Sequence, residues 1–143
     1  MRIAIAADHR GYKLKEIIKV HLFKRNIEVI DLGTDSEESV DYPIYGISCA
    51  NHIVAGDADF GILCCGTGIG MSIAANKIKG IRCAVCTDVV TAASAKAHND
   101  ANIIALGSIT IDSEQAPSIV DAWLDGAFKG GRHKRRVDML NEL

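Results

Sequence analysis

The sequence predicts an α/β protein: a single three-layer, Rossmann-like domain with a five-stranded parallel sheet between two layers of helices. Two observations carry that prediction. Five short strand-like runs, at residues 3–6, 28–31, 60–64, 83–86 and 103–106, alternate with longer segments whose apolar residues fall at helical spacing. Strands and helices that alternate at this pitch imply right-handed βαβ units and a parallel sheet covered on both faces. In addition, the 143 residues contain no linker, repeat or low-complexity stretch, so residues 1–143 read as one domain around one core.

The elements follow in order. Residues 3–6 form the first strand, which Asp8-His9-Arg10-Gly11 ends. Leu14, Ile17, Ile18, Leu22 and Phe23 mark residues 12–25 as a helix, and residues 28–31 make the second strand. The stretch 33–43 is polar and loop-like, and residues 44–55 have helical character. Residues 60–64 are the third strand, broken at 65–70 by alternating glycines and followed by small, helix-compatible residues at 71–76. Residues 83–86 are the fourth strand and the alanine-rich 89–98 the next helix. Residues 103–106, ended by Gly107, are the fifth strand, and 117–124 the last strong helix, with a basic tail over 130–143.

Composition narrows the function. Hydrophobic content of 48% with 24% charged residues is that of an ordinary globular protein, and a net charge of −2 argues against bulk nucleic-acid binding. No apolar run approaches the roughly 20 residues that span a bilayer. Met1 leads straight into a strand without a targeting segment, and the five cysteines have no disulfide-framework spacing. A reducing cytoplasm is the expected compartment.

The centre of the chain is Cys65-Gly66-Thr67-Gly68-Ile69-Gly70, between a strand and a helix. Glycines let the backbone adopt otherwise forbidden conformations and approach a ligand closely. Unpaired N–H groups and the helix dipole make such a place favourable for negative charge. Cys65 opens the loop, and thiols at helix N-termini ionise more readily than free cysteine. Taken alone, Gly-x-Gly-x-Gly is also what a tight strand-to-helix connection uses. It is neither the dinucleotide-binding fingerprint nor a nucleotide P-loop.

Other polar clusters join it. In such sheets ligands bind beyond the carboxyl ends of the strands, where Asp8, His9, the 65–70 loop and Asp88 fall. Asp8 also suits a helix cap, and Asp41-Tyr42-Pro43 is either a turn opening a helix or a polar wall of the cavity. His98-Asn99-Asp100 suits a helix C-terminus, and a histidine there also suits proton transfer near neutral pH. His21 and His52 read as structural. Cys83 and Cys86 point to opposite faces of their strand and lack a second ligand pair, so they read as core rather than zinc ligands. Arg132 and Arg136 are four apart in the basic tail, so a helix would set both guanidinium groups on one face, where they suit a phosphate on a neighbouring subunit.

Together these clusters resemble the ribose-5-phosphate isomerase B family, which includes isomerases of allose and galactose phosphates. The resemblance spans the chain through Asp8-His9-x-Gly11, Val29-Ile30-Asp31-x-Gly33-Thr34, Asp41-Tyr42-Pro43, the 65–70 loop, Ser72-Ile73-Ala74-Ala75-Asn76-Lys77, Gly80-Ile81-Arg82, His98-Asn99-Asp100, Ile119-Val120-Asp121-Ala122-Trp123-Leu124 and Gly130-Gly131-Arg132-His133. It implies an aldose–ketose isomerase that needs neither metal nor cofactor and acts on a sugar phosphate as a homodimer or tetramer. In that reading Cys65 is the base, and His98 opens the sugar ring with Asp41 or Tyr42 nearby. Thr67 joins Cys65 and His98 among the catalytic candidates, and the N–H groups of Gly66 to Gly70, Ile69 included, hold the enediolate. Asp8 and Asn99 bind hydroxyls; His9, Arg132 and Arg136 bind phosphate, the arginines coming from the second subunit. A branch of the family with serine for the cysteine and a glutamate in the loop is not the match, because Ile69 stands at the glutamate's place. One departure remains: many relatives carry an arginine after Gly-Ser or Gly-Glu beyond the fifth strand, where this chain has Ile109.

Overall fold

The computed structural model describes all residues 1–143. Five strands, β1 (Arg2–Ala7), β2 (Glu28–Asp31), β3 (Phe60–Cys65), β4 (Cys83–Val85) and β5 (Ile103–Gly107), alternate with helices α1 (Tyr12–Lys24), α2 (Tyr42–Val54), α3 (Ile69–Asn76), α4 (Val89–Asn99), α5 (Ala116–Leu124) and α6 (Arg132–Glu142). The strands form one sheet in the order β2-β1-β3-β5-β4, and every neighbouring pair is parallel. The expected three-layer α/β architecture is therefore the observed one.

The register explains the two-sided core. Ile5 pairs with Ile62 and Ile62 with Ile104, so one row of isoleucines crosses the sheet. With Ile3 and Leu106 they pack under Leu14, Ile18 and Leu22 of α1, Ala92 and Ala95 of α4, and Ile119, Val120 and Trp123 of α5. The next row, Ala6, Leu63 and Ala105, faces the other way and meets Cys49 and Ala50 of α2 and Met71 and Ala75 of α3. Each fully buried Ile or Leu here contributes about 1.5–3 kcal/mol. The second face is built of small residues, so α2 comes close: a Cβ at Gly61 would lie 2.7 Å from Cys49 Sγ.

Polar groups inside the fold are paired. Trp123 Nε1 donates to the Ala101 carbonyl at 3.0 Å, and its ring meets Phe60 edge-on at 5.4 Å. The Lys96 ammonium lies 3.7 Å from the Phe60 ring centroid, a cation–π contact, while burial lowers its pKa. Lys15, only 1% exposed, donates to Asp31 at 2.7 Å.

The structure moves several boundaries. The helix expected from residue 44 begins at Tyr42, because Pro43 has the fixed φ that a first helical turn uses. The helix expected from 71 begins at Ile69, directly after the left-handed Gly68. The fourth strand stops at Val85; Cys83 packs on the α2/α3 face and Cys86 on the other, as their alternation requires. The basic tail is a helix, α6, with Val137 its only buried residue. No helix is long and apolar enough to cross a membrane. The chain leaves β1 for β2 on one side and places β3 on the other, so the switch point lies between the carboxyl ends of β1 and β3.

Candidate active site

At that switch point β3 ends in Cys65 and three residues carry the chain into α3. Gly68 has φ +80°, and a Cβ there would lie 3.0 Å from the Ala105 carbonyl oxygen, so the turn needs glycine. The loop keeps hold of the residues after β5: Ser108 N–H donates to the Cys65 carbonyl and Ile109 N–H to the Gly66 carbonyl, both at 2.9 Å. Cys65 is buried, and its sulfur accepts the Gly68 N–H at 3.1 Å. Thr67 Oγ1 accepts the Ile69 N–H at 3.3 Å. The N–H groups of Gly66, Thr67, Gly70 and Met71 have no acceptor within the chain. Four free donors beside one sulfur form an oxyanion-binding arrangement. The remaining cysteines belong to the core: burial pushes the Cys49 and Cys86 thiols up to about 12 and raises those of Cys64 and Cys83 as well.

The end of β1 is pressed against this loop. Asp8 N–H donates to the Cys64 carbonyl at 3.2 Å, and Asp8 Oδ1 accepts the N–H groups of Arg10 and Gly11 at 2.9 and 3.0 Å. A Cβ at Gly11 would lie 2.1 Å from the Cys64 carbonyl oxygen, so only glycine lets the turn sit so close. His9 Nδ1 accepts the Val40 N–H at 3.2 Å, which leaves Nε2 as the donor. Asp41 stands at the N-cap of α2 with no hydrogen bond from its side chain. The Tyr42 ring covers Gly70 so closely that a Cβ there would be 2.5 Å from Tyr42 Cε1. Asp8, His9, Asp41, Tyr42, Cys65, Gly66, Thr67, Gly68, Ile69 and Gly70 thus share one edge of the sheet.

His98, Asn99, Arg132 and Arg136 do not. Helix α4 starts beyond the carboxyl end of β4 and its 11 residues run back to the amino end of β5. Gly61 N–H donates to the Asn102 carbonyl, which sets the end of α4 level with the start of β3. From there to Cys65 is four strand residues, or about 13 Å along the sheet. At that far edge the rings of His98 and His133 stack with centroids 4.4 Å apart and planes 9° apart. Desolvation, with the charges of His98, Arg132 and Arg136, holds the His133 pKa below its ordinary value. Arg82 Nε donates to the Asn99 carbonyl at 3.2 Å, and Arg132 and Arg136 are exposed without an acidic partner. A group transferring protons must be within hydrogen-bond reach of its target, and His98 lies well beyond that reach from the same chain's Cys65 loop.

One residue at the loop was not singled out from the sequence. A Cβ at Gly66 would lie 3.2 Å from Arg10 Cδ, 3.7 Å from Arg10 Nη1 and 3.4 Å from Ile109 Cδ1. The Arg10 side chain therefore leans over the anion-binding loop, with Ile109 in the same corner.

Comparison with known proteins finds relatives along nearly the whole chain. A family profile described as Ribose/Galactose Isomerase matches residues 3–140. Ribose-5-phosphate isomerase B of Escherichia coli is 47% identical over 142 residues, covering 99% of this chain and 95% of that protein. A structure of Clostridium thermocellum ribose-5-phosphate isomerase B superposes with a TM-score of 0.98 at 51% identity, covering 99% of this chain and 96% of that one. The Mycoplasma genitalium ribose-5-phosphate isomerase B, solved with bound ribulose-5-phosphate, gives 0.94 at 40% identity over 99% of this chain and 94% of that one.

Proposed function

The chain belongs to the ribose/galactose isomerase family, and from that premise we propose that it interconverts ribose 5-phosphate and ribulose 5-phosphate through an enediolate. The observation that carries the reading is the Cys65 sulfur beside the free N–H groups of Gly66, Thr67, Gly70 and Met71. Cys65 Sγ takes the proton from C2 of the open-chain aldose. The C–H electron pair becomes the C1–C2 double bond, and the carbonyl π pair moves to O1. The four N–H groups stabilise the oxygen charge where it develops. The Thr67 hydroxyl accepts from Ile69, which leaves its O–H to donate to the same oxygens. A proton passes from O2 to O1, the freed O2 electron pair forms the C2=O2 ketone, and the C1–C2 π pair takes the proton back from the thiol at C1.

The rest of the machinery is assigned by edge. Asp8 holds a sugar hydroxyl, His9 Nε2 donates to the phosphate, and Asp41 and Tyr42 line the ring-opening side. His98, Asn99, Arg132 and Arg136 are too far away to serve the same chain's site, so a second copy supplies them: His98 for ring opening, Asn99 for a hydroxyl, and the two arginines for phosphate. Ile44 and Ile47 on α2 and Ile69 and Ile73 on α3, all exposed, offer an apolar face to that copy. A homodimer is the smallest complete enzyme, and pairing of dimers would give a tetramer. Five unpaired cysteines suit a reducing cytoplasm.

The test is conversion of ribose 5-phosphate to ribulose 5-phosphate, ranked by kcat/KM against six-carbon sugar phosphates and free sugars. The pentose phosphate should rank first. Because Ile109 brings no charge of its own to a position where many relatives carry an arginine, a six-carbon sugar phosphate is the second reading, and its ranking first would replace the pentose as substrate.

A further inference from the structure

We propose that Arg10 is an anion-binding, specificity-determining residue of this site, gripping the phosphate end of the substrate at the mouth of the glycine loop. The inference rests on the sugar-phosphate reading above. Its first support is placement. Asp8 Oδ1 holds the Arg10 N–H at 2.9 Å, and Gly11 is pressed on the Cys64–Cys65 peptide, so the backbone that carries Arg10 is fixed against β3. The side chain then passes over Gly66: Arg10 Cδ lies 3.2 Å from the point a Cβ there would occupy, a point that Ile109 Cδ1 approaches to 3.4 Å.

The second support is electrostatic. The Arg10 guanidinium is exposed and takes part in no hydrogen bond or ion pair, whereas Arg2, Arg25 and Arg82 each meet a carboxylate. The carboxylate nearest in sequence, Asp8, is turned inward and spends Oδ1 on two backbone N–H groups. Arg10 is thus a free cation one residue from His9, and Ile109 leaves that corner with no competing charge. A planar guanidinium suits two phosphate oxygens at once. The free N–H groups beside Cys65 hold the reacting end, so the cation at the exposed mouth holds the other.

The experiment compares wild type, Arg10→Ala, Arg10→Lys and the double variant Arg10→Ala/Ile109→Arg. Inorganic phosphate is titrated calorimetrically into each, and KM and kcat are measured with ribose 5-phosphate. Arg10→Ala should weaken phosphate binding and raise KM by about tenfold or more, with kcat within about twofold, as the loss of a charge-assisted contact predicts. Lysine should recover part of the loss, and arginine at 109 most of it. Unchanged phosphate affinity and KM in Arg10→Ala, or no phosphate binding by wild type, would overturn the proposal. So would a fall in kcat with KM unmoved, the mark of a role at the enediolate or in loop shape. If wild type does not turn over ribose 5-phosphate, the isomerase reading fails, while the phosphate titration still judges Arg10.

Discussion

A mixed dimer of Cys65→Ala and His98→Ala subunits puts the split site to a quantitative test. Cys65 ends β3, whereas His98 lies at the amino edge of the sheet, about 13 Å below it by strand rise. Helix α4 gives the same answer, since its 11 residues span about 16 Å back from the carboxyl edge. If each site takes Cys65 from one subunit and His98 from the other, each homodimer of a single variant has a lesion in both sites. In the mixed dimer one site collects both lesions and the other is wild type. Doubly tagged mixed dimers, purified after co-expression, should therefore recover about half the wild-type rate per dimer, and unsorted refolded mixtures about a quarter. A site complete within one chain would keep one lesion in every site of every dimer. Mixed dimers no more active than the two parents would refute the argument from α4.

Two further outcomes follow from the scaffold. Gly68→Ala forces a Cβ onto a backbone at φ +80° and 3.0 Å from the Ala105 oxygen, so it should cost about 1–3 kcal/mol in chemical denaturation; an unchanged midpoint would remove strain as the reason for glycine. Burial alone would raise the Asp31 pKa, but hydrogen bonds from Lys15 and Lys19 outweigh it and hold the carboxyl below its usual range. A carboxyl depressed in the folded state stabilises above its unfolded pKa and loses that contribution as pH falls through the folded one. The stability advantage of wild type over Asp31→Asn should thus be full above about pH 4 and shrink on further acidification, and a constant difference down to pH 2 would contradict the pairing.

Most of the fold was legible because strands of a parallel sheet are buried on both faces and stand out as short apolar runs. Alternation along such a run also separated Cys83 from Cys86 correctly. Helix α6 reads as a tail in the sequence because it opens on Arg132-His133-Lys134-Arg135-Arg136, and its few apolar residues, Val137, Met139 and Leu140, come only in its second half, with Val137 alone buried. The starts of α2 and α3 were missed by two residues because Pro43 and Gly68 set the backbone there, and hydrophobic periodicity does not see them.

The site was legible in parts. The 65–70 loop, Asp8 and His9 fell at the carboxyl edge by topology alone. Grouping His98 and Asn99 with them followed motif order rather than geometry. The edge on which they lie was readable, since a helix that returns to the start of the next strand must end at the amino edge. Arg10 left no such signal, because its importance depends on how closely Gly11 packs against β3.

The most direct test of the central claim is turnover of ribose 5-phosphate in excess chelator by wild type and Cys65→Ala side by side. Full activity in wild type and a fall of about 10²–10⁴ in kcat in the variant is the result the thiolate-base account predicts. Near-full turnover by Cys65→Ala would contradict it, whatever the fold.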